Sequence, residues 1–358
     1  MEEQAVDYDY LIVGQGIGGT TLAWTLLERG KRILIVDLPA LPASSLVAAG
    51  IFNPLTGKKL VKTWMADTIF PYASTFYGEI EKKLNVSFLH HLPFIRPYRS
   101  IEEQNSYLAQ SADPALASYV GEPLVAEEVV PYIKAPHGGL HIVRSGWVDL
   151  PIFIAESRHY FQQHQCFRAE GFDANDLQPE AECIQWKGLR FGKVILSQGA
   201  LGQHDRYFNW LPFTPVKGEI LEVQTQEKLN PYMVNQGIFL LPTSANYCKV
   251  GATYAWDPLD WESTTSAREE LEGKLSSLLK GQFTTITQKA GIRPSVRDRR
   301  PLVGRHPDLD RLCIFNGLGT KGVTLAPYFA NEFVEHLENG KELNSFVNIK
   351  RYFSLYFR

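Results

Sequence analysis

Short, unbroken apolar runs alternate with amphipathic stretches along this chain. Tyr10 to Val13 and Arg32 to Val36 read as short buried strands, and Thr20 to Arg29 between them has helical spacing, so the opening predicts a βαβ unit. Pro39 to Pro42 and the small-residue segment Ala43 to Gly50 follow, too rich in Ser, Ala and Gly for an ordinary core element. Thr68 to Leu84 is helical and aromatic, and Val86 to Arg99 and Leu140 to Val143 read as strands, with a turn at His137-Gly-Gly139. Lys193 to Ser197 is another buried run ending in Gln198-Gly199-Ala200, as a parallel strand entering a tight turn would, and is expected to rejoin the first sheet. Glu219 to Val223, Ile238 to Leu241 and Tyr247 to Val250 predict an antiparallel sheet, with a helix from Ser266 to Leu279. The final section predicts a strand at Leu312 to Phe315, a glycine-rich loop from Asn316 to Gly322 and a helix from about Thr324 to Leu337. That helix stops at Asn339-Gly340, and Pro327 is expected in its first turn.

With 358 residues the chain exceeds the usual size of one core, so two joined domains are expected. Neither an internal repeat nor a low-complexity linker separates them, which points to interleaved pieces. Composition then removes several classes of function. Thirty-six basic and 39 acidic residues leave a formal charge of −3, and the only basic cluster is Arg297, Arg299 and Arg300, so neither a nucleic-acid nor an anionic-membrane surface is indicated. Cys166, Cys183, Cys248 and Cys313 lie far apart and form no CxxC pair, which argues against a disulfide framework or a metal site and fits a reducing cytoplasm. Met1 to Asp9 is acidic and polar, unlike a secretory signal, and no apolar stretch approaches the roughly 20 residues that span a bilayer. A soluble cytoplasmic protein is expected.

The sharpest motif is Gly14-Gln-Gly16-Ile17-Gly18-Gly19, which follows a strand and opens a helix. Its glycines can supply the tight turn, the close approach of a pyrophosphate and the contact between helix and sheet. Asp37 ends the second strand, where a carboxylate accepts ribose hydroxyls and disfavours a 2′-phosphate. NAD and FAD share this fingerprint, so the choice between them needs further residues.

Those residues carry a resemblance. Ser44-Ser45-Leu-Val-Ala-Ala49-Gly50-Ile-Phe-Asn-Pro54 resembles the flavin-contacting segment of the D-amino-acid oxidase, glycine oxidase and sarcosine oxidase superfamily. Ala290-Gly291-Ile-Arg293-Pro294 through Gly304, and Gly317-Leu-Gly319-Thr320-Lys321-Gly322-Val323 through Pro327, resemble that superfamily's closing pair of motifs. The likeness is close to glycine oxidases and to the oxidoreductase domain of the bifunctional tRNA 5-methylaminomethyl-2-thiouridine enzymes. It is sharp over roughly the first 55 and last 75 residues; between them it is a similarity of order through Gly139, Gly146-Trp-Val-Asp149, Ser197 to Ala200 and Pro215-Val-Lys-Gly218. The resemblance implies an α/β (α+β) fold in which a Rossmann-like FAD-binding domain, residues 1–65, 145–212 and 288–358, is interleaved with an antiparallel-sheet substrate domain, residues 66–144 and 213–287. It implies FAD held by Gly14, Gly16, Ile17, Gly18, Gly19, Asp37, Ser44, Ser45, Ala49, Gly50, Gly199, Gly319, Thr320, Lys321, Gly322 and Val323. Sarcosine oxidases tether flavin through a cysteine in the region matching Arg297 to His306; this chain has none there, so the FAD is expected to be non-covalent.

The same resemblance makes Arg293 the grip on a substrate carboxylate, a task that suits a planar guanidinium, with an internal salt bridge to Asp298 or a glutamate as the competing role. A helix opening near Gly322 aims its positive end where reduced flavin carries negative charge, and Lys321 either adds to that field or is a solvated loop lysine. Phe239 stands where glycine oxidases present a substrate-facing tyrosine; Tyr254 either compensates or packs. The expected reaction is hydride transfer from the C–N bond of a small carboxylate-bearing amine (glycine, sarcosine or D-amino-acid type), needing no dedicated base. The alternatives are a 2-hydroxy-acid dehydrogenase, which needs a base such as a histidine, an oxidoreductase acting on a carboxymethylaminomethyl uridine in tRNA, and a flavin-binding protein without turnover. His90, His91, His137, His141 and His204 sit in no motif that singles one out.

Overall fold

The computed structural model describes residues 6–357 apart from 58–59, 127–128, 130–131 and 230–231; the first five residues of the acidic N-terminal stretch lie outside it. The first sheet runs Phe167–Ala169, Ile33–Asp37, Tyr8–Val13, Leu189–Leu196, Ile184–Trp186 and Gln178–Pro179, and Leu312–Asn316 also pairs with the Leu189–Leu196 strand and with Leu302–Arg305. Its centre is parallel: Leu11 pairs with Leu34 on one side and Val194 on the other. Both faces are buried, so these strands are continuously apolar. Tyr10, Ile12, Ile33 and Ile35 enter one core with Trp24, Leu26, Phe329 and Phe333 of the helices Ile17–Glu28 and Gly322–Asn339. Leu11, Val13, Leu34 and Val36 enter another with Trp186 and Phe208.

A second sheet is ordered Phe283–Arg293, Val216–Thr225, Tyr247–Gly251, Phe239–Pro242, Met233–Asn235, Phe94–Pro97 and Gly139–Ile142. It is antiparallel except where Met233–Asn235 meets Phe94–Pro97. The Phe283–Arg293 strand crosses the expected boundary between 287 and 288, so Arg293 stands on this second sheet.

The last long helix corrects one expectation. It begins at Gly322, so Pro327 lies inside the helix and not in its first turn. Proline removes the N–H that would have paired with the Val323 carbonyl. The Tyr77 hydroxyl, from the helix Ala66–Leu84, donates to that carbonyl at 2.8 Å and takes the missing partner's place.

Candidate active site

The first strand ends at Val13 and turns at Gly14, whose φ is +96° and where a Cβ would stand 2.6 Å from the Ser197 carbonyl oxygen. Only glycine takes both that dihedral and that approach. The following helix opens at Ile17, whose N–H donates to Ser45 Oγ at 3.1 Å. The Gly322–Asn339 helix starts beside it: a Cβ on Gly322 would lie 3.0 Å from Ile17 Cγ2, and one on Gly18 would lie 3.3 Å from Leu318 Cδ1. Two helix N-termini therefore face one cavity of about 530 Å³, and their positive ends favour an anion there.

Gly14, Gly16, Ile17, Gly18, Asp37, Ser44, Ser45, Ala49, Gly50, Gly199, Gly319, Thr320, Lys321, Gly322 and Val323 all line this cavity, as do Arg293 and Tyr254. Gly19 does not. It lies behind, where a Cβ would be 1.8 Å from the Gly14 carbonyl oxygen, and so serves the packing of helix on strand instead of touching a ligand. The two serines are fastened to the chain. Ser44 donates to the Ile292 carbonyl while Ser45 accepts from Ile17, which pins the 43–50 segment across the mouth of the glycine turn.

At the Asp37 end, sequence reasoning missed Arg158. This arginine of the helix Leu150–Gln163 lines the cavity, donates from Nε to Gln15 Oε1 at 2.6 Å and reaches Asp37 Oδ2 at 3.5 Å. Burial pushes the Asp37 carboxyl up, and a backbone hydrogen bond from Gln15 and the Arg158 charge pull against that rise. The Gln15 amide also donates to the Ile154 carbonyl, so its side chain is fixed between strand and helix. A signal existed in an arginine on the helix face that carries Ile154 and Phe161, but its partner lies over a hundred residues away.

The other end is one face of the second sheet. Arg293, Gly218 and Gly291, Ile220, Gly251, Phe239 and Asn235 follow one another across paired strands and all line the cavity. The Arg293 guanidinium donates to the carbonyls of Lys217 and Thr253 at 3.2 Å and lies 4.4 Å from the centre of the Tyr254 ring. Burial lowers its pKa from the usual arginine value, with no carboxylate within ion-pair distance among the described residues. Asp298, the expected competitor, is taken by Arg351. Phe52, Phe70, Phe239, Tyr254 and Trp261 make the lining aromatic.

Lys321 is not a solvated loop residue. Its Nζ donates to Thr63 Oγ1 at 3.2 Å, and burial, with Arg300 and Arg299 nearby, holds it below the ordinary lysine value. Arg300 in turn packs 4.2 Å over Trp64, so the basic cluster is partly folded into the site's surroundings.

The residues present fit FAD. They combine a glycine turn, two helix N-termini whose own cap residues offer no side-chain hydrogen bond, a ribose-suited carboxylate and, at Gln198 Oε1, a buried acceptor on the lining with no partner among the described residues. Among the described residues no cysteine lines the cavity, and all four thiols are free and buried; burial pushes Cys166 up to about 11 and Cys313 up to about 12. No described histidine lines it either. The two carboxylates that do, Asp37 and Glu170, stand together, the Glu170 N–H donating to the Asp37 carbonyl at 3.0 Å. Among the described residues there is no cluster suited to a metal ion and no helix long and apolar enough to cross a membrane.

Known proteins of similar sequence and fold point to a family. The chain is 30% identical to a glycine oxidase of Bacillus subtilis over 366 residues, covering 94% of each. It is 23% identical to a tRNA 5-methylaminomethyl-2-thiouridine biosynthesis bifunctional protein MnmC of Actinobacillus pleuropneumoniae, with 91% of this chain and 55% of that protein covered. The chain thus spans about half the length of the bifunctional relatives it matches. A crystal structure of glycine oxidase from Geobacillus kaustophilus superposes with a TM-score of 0.80 at 20% identity, covering 97% of this chain and 98% of that one. The family model described as FAD dependent oxidoreductase matches residues 9–336, and with the site built as it is, the chain belongs to this DAO family of FAD-dependent oxidoreductases.

Proposed function

We propose that the chain oxidises the C–N bond of a carboxylate-bearing amine, a secondary amine or an amino acid, with non-covalently held FAD taking the hydride. The observation that carries this is Arg293: a half-buried guanidinium on the cavity wall, held in place by two backbone carbonyls and a tyrosine ring, with no carboxylate of the described chain paired to it. Such a fork, pre-aimed and partly desolvated, suits a substrate carboxylate. FAD supplies the two-electron acceptor when bound.

Arg293 would hold the carboxylate and so fix the amine and its α-carbon within the cavity. The lone pair of the neutral amine then drives the hydride out, leaving an imine that water hydrolyses to an oxo compound and ammonia or an amine. No base is needed for that step, and among the described residues no histidine lines the cavity. A 2-hydroxy acid would ask for one. The aromatic lining favours a substrate bulkier than glycine.

We also propose that the two sheets mark two interleaved domains, that Gly14, Gly16, Ile17, Gly18, Asp37 and the 317–323 loop hold the cofactor, and that the chain works in a reducing cytoplasm. The support for the last is its four free, buried thiols.

The test is anaerobic addition of glycine, sarcosine, proline and D-amino acids to the FAD-loaded protein while the flavin band is followed. Bleaching by one of them, lost in Arg293→Ala with FAD still bound, is the expected result. A band that none of them bleaches overturns the amine assignment.

A further inference from the structure

Lys217 is 1% exposed, and nothing in the scheme above uses its ammonium. It belongs to the Pro215-Val-Lys-Gly218 run and sits on the sheet face opposite Arg293. Its Nζ lies 2.5 Å from Asp260 Oδ1 and 3.9 Å from Glu219 Oε1. Asp260 is on the segment that leaves the sheet after Gly251 and returns at Thr264, the N-cap of the helix Thr265–Leu278. That segment carries Thr253 and Tyr254, which hold Arg293, and Trp261, which lines the cavity.

The segment's two ends are sewn to the sheet. Ala255 exchanges backbone hydrogen bonds with Lys217, and Thr253 does so with Glu219 through its N–H and its Oγ1. Glu219 accepts from Thr264 N and Oγ1, and Ser263 Oγ donates to the Gln288 carbonyl. Over residues 256–262 the sole hydrogen bond to the rest of the described chain is Lys217 to Asp260. Trp256, in that stretch, is 68% exposed.

We infer that Lys217 is a positioning residue for the substrate site: through Asp260 it straps residues 256–262 down, and so sets Tyr254 over Arg293 and Trp261 on the cavity wall. A buried ammonium is costly without a partner, and Glu219 is already engaged by Thr264 and Gln288, so Lys217 draws Asp260 inward.

The inference rests on the proposal that Arg293 receives the substrate carboxylate, and its test separates the two. In the FAD-loaded protein, chymotrypsin nicking at Tyr254, Trp256 or Trp261 is expected to run about tenfold faster in Asp260→Ala than in the parent, with Glu262→Ala unchanged. With whichever amine bleaches the flavin, Asp260→Ala raises KM about tenfold and leaves kcat within about twofold. Lys217→Met reproduces both effects if it folds; Asp260→Ala, altered at a partly exposed position, decides the matter if it does not. Equal nicking in parent and Asp260→Ala, including none in either, overturns the strap, and so does an unchanged KM. If no amine bleaches the flavin, the proposed reaction fails while the nicking rates still decide the strap.

Discussion

Arg293 lies across Gly218, the neighbouring strand's residue, so closely that a Cβ there would fall 2.1 Å from Nη2, 2.2 Å from Nη1 and 2.3 Å from Cζ. The missing side chain at 218 is what lets the guanidinium cross one strand and reach the Thr253 carbonyl, just beyond the end of the next strand at Gly251. Gly218→Ala should therefore displace the arginine without touching the glycine turn. We expect FAD to be retained and kcat/KM for the bleaching amine to fall at least about tenfold, roughly 1.4 kcal/mol of lost transition-state binding. Stopped-flow flavin reduction against substrate concentration measures it.

Arg158 holds both Gln15 and Asp37 at one end of the cavity. Arg158→Met should weaken FAD binding about tenfold, the worth of one charge-assisted contact at a half-buried site. Titration of apoprotein with FAD, followed by flavin fluorescence, reads this directly.

Tyr77→Phe removes the hydroxyl that donates to the Val323 carbonyl, which Pro327 leaves without its helical partner. The expected loss is about 1–3 kcal/mol, the cost of an unsatisfied buried acceptor, seen as a lowered Tm in calorimetry. The start of the helix that faces the cavity should also loosen, so the apoprotein's affinity for FAD falls with it.

Burial, with Arg300 and Arg299 nearby, lowers Lys321 from the ordinary value of 10.5. The folded state thus holds this proton less tightly than the unfolded one. The linked destabilisation is present below the lowered folded value and relieved as pH rises from there towards 10.5. Any rate that depends on the Lys321 charge should fall over the same alkaline interval. In Lys321→Arg the fall moves to higher pH, and in Lys321→Met it disappears, which a pH profile of flavin reduction in each variant would show.

What was legible in the sequence was what acts locally. The glycine turn, its flanking strands and Asp37 are fixed by short-range spacing, and the 317–323 loop by a strand, glycines and a helix in immediate succession. Pro327 was misplaced, and its compensation comes from Tyr77, 246 residues before the Val323 carbonyl that the proline leaves unpaired. Gly19 was counted with the cofactor contacts, yet it packs against Gly14 and stands off the cavity lining, the helix-on-strand contact that such a motif also supplies. Arg158 and the Lys217–Asp260 pair escaped notice because each works through a partner that only the folded sheet brings near. Arg293 was found by resemblance, while its separation from Asp298 needed Arg351 to be seen beside that carboxylate.

The cavity lining starts at Val13 and ends at Thr324. A growing polypeptide on the ribosome has made its first βαβ unit long before the second helix that faces the cavity exists. Until residues near 324 have emerged the cavity lacks part of its lining, so full enclosure of a cofactor comes late in synthesis. Yellow colour in a preparation would accordingly report chains that were finished and folded throughout, whereas fragments ending before the 317–323 loop would be colourless however well their first sheet had formed.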